Sequence, residues 1–220
     1  LIITDQRSFC GDDATDAEGV GKIYDPSFNG MFSEPAMIAL DAGRTANGGK
    51  PPAELSFGDV RIPNPRKDSP PRTILGVTQK KWFLDTLRRS AATWKIWGNS
   101  LGALDLRADP QNLPDGLTKK WPADTFAQIG SWDYGSAYHE RGEIYDLVRD
   151  AKITGFAIVS GDRHAFWAGY AASLLPPNTF EPIGLSFVGA SLISPGAMEG
   201  FEHNLRKDHP LRALYLADRP

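Results

Sequence analysis

Cysteine is almost missing from this 220-residue chain: Cys10 stands alone, so no disulfide can form within it. Methionine is nearly as scarce, and Met31, Met37 and Met198 show no spacing that suggests a cofactor box. Neither sign of charge dominates. With 24 Lys and Arg against 27 Asp and Glu the formal net charge is -3, which argues against a nucleic-acid-binding surface. No apolar run approaches the roughly 20 residues that cross a bilayer, so no transmembrane segment is expected. Internal repeats and low-complexity tracts are lacking too. What remains is a length that allows one sizeable domain with a substantial core.

Two segments carry the chemistry. Phe156-Ala157-Ile158-Val159-Ser160 is an apolar run of strand character that stops at Gly161, and Asp162 and His164 follow two positions apart. Open α/β sheets place ligands beyond the carboxyl ends of their strands, and a carboxylate with an imidazole there can share one metal ion. The plainer alternative is that Asp162 caps a following helix and His164 packs beside Phe166 and Trp167. Thr93 to Trp97 is a second apolar strand, ending in Gly98-Asn99-Ser100. The Asn99 carboxamide suits a metal or a phosphoryl oxygen, although Gly-Asn is also an ordinary turn.

The pattern elsewhere predicts an α/β layer sandwich. A helix is expected from an N-cap at Thr78 to about Arg89, with Trp82, Phe83 and Leu87 on its buried face. Another should span about Ala137 to Asp150, with Ile144, Leu147 and Val148 inward, leading into a strand from Gly155 to Ser160. Phe166 to Leu175 reads as helical and Gly184 to Val188 as a strand. Residues 10 to 72 are dense in Gly, Pro, Asp and Asn. They are expected to form an irregular, lid-like excursion with short elements near Met31 to Leu40. Residues 105 to 130 look like a second excursion.

Five motifs in order resemble the PhoD-like alkaline phosphatases and phosphodiesterases of the calcineurin-like metallophosphoesterase superfamily. Leu1 to Phe9 is similar to an apolar strand ending in Asp-x-Arg (Asp5, Arg7), and Leu75 to Leu84 resembles an LG-x-x-Q-x-x-W-L helix start. Trp132-Asp133-Tyr134 with Glu140-Arg141 resembles a Trp-Asp-Gly-Tyr segment leading into a helix, with Tyr134 and Gly135 in reversed order. Gly161-Asp162-Arg163-His164 is similar to Gly-Asp-x-His, and Ser191 with Ser194-Pro195-Gly196 resembles a later Ser-Pro-Gly strand and loop.

This resemblance implies phosphoester hydrolysis assisted by metals, an iron with calcium ions, and a periplasmic or secreted location. It implies Asp162 and His164 as metal ligands and Asn99 as a ligand or phosphate contact. Arg7 is either a phosphate contact or a salt-bridge partner beneath the sheet. Asp5 is expected to support the site from behind the ligands or to be structural rather than a ligand, Arg141 to be an ion-pair partner and Cys10 no ligand. His139 is expected to be solvated, and His203 and His209 lie in a polar C-terminal stretch. The family's upstream Ser-Cys, Gly-Asp-Tyr and Trp-Asp-Asp-His-Glu segments do not occur here. The chain is therefore read as one partial catalytic domain over 1–220. It is expected to need a second chain carrying the N-terminal half of the metal shell.

Two other classes fit the residues. A serine hydrolase would use Ser100 or Ser191 with His164 as base and Asp162 as orienter, but neither serine sits in a Gly-x-Ser-x-Gly elbow. A non-catalytic binding or structural piece is the other.

Overall fold

The computed structural model describes residues 1–26, 30–129, 133–196, 202 and 206–208. Trp132, Met198, His203 and His209 lie outside the described residues. Along the chain, strand β1 (Ile2–Ile3) is followed by the short strands β2 (Tyr24–Asp25) and β3 (Met31–Ser33). Helix α1 (Glu34–Ala42) starts at once, capped by the Ser33 hydroxyl, which accepts the Ala36 N–H. A helical turn α2 (Ala46–Gly49) precedes a hairpin of β4 (Glu54–Phe57) and β5 (Val60–Pro63). Helix α3 (Val77–Arg89) leads to β6 (Lys95–Gly98), then β7 (Arg107–Ala108) and β8 (Ala127–Ile129). Helix α4 (Tyr138–Asp150) precedes β9 (Phe156–Ser160), β10 (Trp167–Leu174) and β11 (Glu181–Val188). The α/β class is as the sequence pattern indicated.

The main sheet has the order β1-β6-β9-β11-β10. Its first four strands run parallel, so their carboxyl ends share one rim, and only β10 is antiparallel. Gly155 lets β9 begin close to its neighbour. Its φ is +67°, and a Cβ there would stand 2.0 Å from the Thr93 carbonyl oxygen.

One face of this sheet is covered by α3 and α4. Phe83 and Leu87 of α3 and Ile144, Tyr145 and Val148 of α4 pack with Trp97, Phe156 and Ile158. The Trp97 ring lies 4.7 Å from Phe83 and 5.1 Å from Tyr134, centroid to centroid. The opposite face is apolar and exposed. Ile3, Ile96, Val159, Leu185, Phe187 and Tyr170 all lie open to solvent, and the strand register puts Leu185 beside Ala157 and Phe187 beside Val159.

A second core gathers parts of both irregular stretches. Val20, Ile23, Met31, Met37 and Leu40 pack with Leu55, Phe57, Ile62, Trp121 and Ala127. The Trp121 indole N–H donates to buried Asp25 at 2.9 Å. Residues 10 to 72 therefore carry more regular structure than their Gly and Pro content suggests. A four-stranded sheet of order β2-β3-β8-β7 ties them to residues 105 to 130.

Three expectations need correction. The segment read as a helix from Phe166 to Leu175 is strand β10, paired with β11 through Tyr170 and Leu185. Alanine-rich composition favours helix only weakly, and an available sheet edge overrides it. The α3 N-cap position is Gly76, not Thr78. The N–H groups ahead of the helix are satisfied from elsewhere: Gly76 donates to the Thr73 hydroxyl, and Ile74 and Leu75 donate to Glu140. Trp82 is exposed, because the buried stripe of α3 runs through Phe83 and Leu87 at i, i+4 spacing.

Candidate active site at the carboxyl rim of the parallel sheet

The carboxyl ends of β1, β6 and β9 are laced together. Thr4 N–H donates to the Gly98 carbonyl at 3.2 Å, and Asn99 N–H donates to the Val159 carbonyl at 3.0 Å. Buried Gln6 joins the first two ends: its Oε1 accepts from both the backbone and the hydroxyl of Ser100 at 3.0 Å. Its amide nitrogen donates to the Thr4 hydroxyl, which also takes the Trp97 indole N–H at 2.8 Å. Gln6 is the unnamed middle residue of Asp-x-Arg, and nothing in its type alone marks it as a brace.

Arg7 crosses from β1 to the loop after β9, with Nη2 2.7 Å from Asp162 Oδ1. This ion pair stands at the rim rather than beneath the sheet. His164 Nδ1 lies 3.1 Å from the Pro195 carbonyl oxygen. A carbonyl can only accept, so a hydrogen bond there requires the proton on Nδ1, and in the neutral ring that tautomer leaves the Nε2 lone pair for a metal. Metal-binding histidines use the same arrangement. Asp162 and His164 both have positive φ, 76° and 52°, which L side chains rarely adopt.

Asn99 is buried. Its Oδ1 accepts the Leu101 N–H at 2.8 Å, while its Nδ2 is buried with no hydrogen-bond partner among the described residues. The Asn99 atom left without a partner is a donor, a type that fits an anionic oxygen better than a cation, and it is covered as placed.

Asp162 and His164 are a carboxylate and an imidazole, suited to one edge of a cation site. Among the described residues no group of three or more His, Cys, Asp or Glu could hold a metal ion. These side chains fit part of a metal shell, and the remaining donors would have to come from elsewhere.

The other candidates separate cleanly. Asp5 accepts the Ser8 N–H at 3.0 Å and forms a local turn, and that hydrogen bond holds its carboxyl below the usual range. Arg141 is buried against Asp105 and also donates to the Tyr134 carbonyl at 2.9 Å. Cys10 is half-buried with its thiol 3.3 Å from the Gly11 carbonyl. His139 is not freely solvated: its ring is partly covered, 3.6 Å from Glu143. Ser100 donates to Gln6, and the Ser191 hydroxyl accepts the N–H groups of Ile193 and Ser194. Among the described residues neither serine is hydrogen-bonded to His164.

Sequence reasoning missed the carboxylate that ties the two helices to this region. Glu140 is fully buried and accepts from Ile74 and Leu75 at 3.0 Å, and from the Tyr134 hydroxyl at 3.3 Å. Burial, followed by the nearby Glu140 charge, pushes the Tyr134 phenol well above its ordinary value. The Glu-Arg dipeptide was visible, but its inward direction depends on helix phase against a core that only the fold defines.

The described residues contain no helix long and apolar enough to cross a membrane. Comparison with known proteins finds alkaline phosphatase D of Bacillus subtilis (strain 168), 27% identical over 154 residues. The match covers 68% of this chain and 22% of that protein, so the chain spans about a fifth of its relative's length. A solved structure described as the structure of PhoD is similar at a TM-score of 0.46 and 18% identity, over 86% of this chain and 26% of the other. The family model for PhoD-like phosphatases matches residues 1–217, and the chain belongs to that family.

Proposed function

We propose that this chain supplies one wall of a metal-dependent phosphoester hydrolase of the alkaline phosphatase D type. The observation that carries this reading is the convergence of Arg7, Asn99, Asp162 and His164 on one sheet rim, from three strand ends far apart in sequence. Asp162 and the Nε2 of His164 would hold one side of a cation. Iron and calcium are the ions that the resemblance favours. A bound cation would offset phosphoryl charge and activate water for in-line attack on phosphorus.

The chain's own groups supply the rest. The buried Asn99 amide offers a hydrogen bond to a phosphoryl oxygen. The Arg7 guanidinium matches two such oxygens in one plane and is already held at the site by Asp162. Phosphate monoesters and diesters are both compatible with these groups.

A further segment or second chain carrying the N-terminal half of the domain would complete the metal shell. Two observations support it: the two-ligand limit at the rim, and the exposed apolar sheet face formed by Val159, Leu185 and Phe187. A periplasmic or secreted location accompanies this reading.

The test is hydrolysis of p-nitrophenyl phosphate and bis-p-nitrophenyl phosphate by the full protein, with metal content measured on the same sample. Asp162→Asn and His164→Ala should each lower activity and metal affinity by more than the roughly 10–100-fold that loss of a ligand's supporting partner costs, with the fold retained. Activity that survives exhaustive chelation, or that survives both substitutions, overturns the proposal.

A further inference from the structure

The third side chain of the Asp162–His164 loop points away from the rim. The Arg163 side chain is only 6% exposed, and its Nε sits 2.6 Å from Asp133 Oδ2. Its Nη2 donates to the Leu104 carbonyl. Asp133 is held in turn: its Oδ1 accepts the Gly135 N–H at 2.7 Å, and its carbonyl accepts the Ser136 N–H at 3.2 Å. The Tyr134 N–H donates to the Gly102 carbonyl at 3.0 Å, closing the frame.

The slot around the guanidinium is cut to fit. A Cβ on Gly102 would stand 2.2 Å from Arg163 Nε, and one on Gly135 would stand 3.1 Å from Nη2. Gly102 therefore leaves space that Arg163 alone fills, and Gly135 leaves space shared by the Asp133 carboxylate, 2.8 Å from such a Cβ, and the guanidinium. The flanking residues Asp162 and His164 are both held at positive φ. Such a backbone persists only where its surroundings over-determine it. A charged, planar fork anchored on one carboxylate and one carbonyl, between two strained residues, does that.

We propose that Arg163 is a positioning residue: its buried contact with Asp133 and Leu104 sets the direction of the Asp162 carboxylate and the His164 imidazole. It touches neither substrate nor metal. The role in phosphoester hydrolysis rests on the function proposed above, whereas the positioning itself does not.

Three variants of the full protein test it: Arg163→Lys, Asp133→Asn and Gly102→Ala. Lysine keeps the charge but cannot hold the carboxylate and the carbonyl as a planar fork. The Gly102→Ala methyl displaces the guanidinium without removing it. Each variant should lose about 10–100-fold in calcium affinity by titration calorimetry and in kcat, with KM for p-nitrophenyl phosphate little changed. The double variant Arg163→Lys/Asp133→Asn should be no worse than either single one. In each variant the His164 ring resonances should shift in the NMR spectrum while those of His139 stay in place.

Unchanged His164 resonances and calcium affinity in folded variants overturn the proposal, since Arg163 would then only fill space. Unfolding of all three variants overturns it as well, by making the contact a determinant of folding. A wild-type protein inactive on every phosphoester, with His164 still shifted by Arg163→Lys, would sink the proposed function and leave the positioning role standing.

Discussion

The Arg7 guanidinium lies 2.7 Å from the Asp162 carboxylate and joins the end of the first strand to the loop after β9. The Arg7 side chain is about half exposed, so the pair is expected to contribute no more than about 1 kcal/mol to stability. Its value lies in placing a cation at the rim. Arg7→Gln should raise KM for phosphate monoesters about tenfold or more, the loss expected for one charged hydrogen bond, with little change in the thermal midpoint. Unchanged steady-state kinetics would assign Arg7 to surface pairing alone.

Glu140 should be the most costly carboxylate to remove. Glu140→Ala would orphan the Ile74 and Leu75 N–H groups and the Tyr134 hydroxyl in a buried setting. The expected cost is about 3–5 kcal/mol in urea unfolding. A loss below about 1 kcal/mol would show that water replaces the carboxylate.

Asp41 should make the protein less stable as pH rises from acid towards neutrality. Its Oδ2 accepts the His139 N–H at 2.7 Å, while its Oδ1 is buried without a hydrogen-bond partner among the described residues. Burial raises its pKa to about 6 against the opposing pull of the His139 N–H, Arg72 and Arg141. The folded state thus keeps a proton that the unfolded chain releases near pH 4. Between those values the folded state binds more protons, so its stability declines with rising pH, and the penalty is complete above about pH 6. Its size is on the order of 3 kcal/mol. Urea midpoints at pH 4.5 and pH 7 should differ less in Asp41→Asn than in the wild type. Parallel pH profiles for the two proteins would contradict this.

The apolar sheet face yields a prediction about its environment in the full protein. If a second layer covers it, Phe187→Ser should cost about 1.5–3 kcal/mol, as for a buried aromatic side chain. A cost within about 0.5 kcal/mol would mean that the face stays open to water.

The sequence alone determined the positions of β6, β9, α3 and α4 to within a few residues. Apolar runs of four or five residues ending in Gly, and stripes at helical spacing, are local patterns that survive without knowledge of the partner. The order of five short motifs was also enough to indicate the family, because residue types in fixed sequence need no coordinates. Tertiary structure decided what depends on pairing and phase. Residues 167–174 became a strand because the edge of β11 was there to receive them. Residues 10 to 72 acquired a core because Trp121 and Ala127 arrive from another part of the chain. Arg7 found Asp162 across 155 positions, and Arg163 turned inward into a slot made by Gly102 and Gly135. Such long-range contacts leave no periodic trace in sequence, since each is set by the packing of segments that are strangers along the chain.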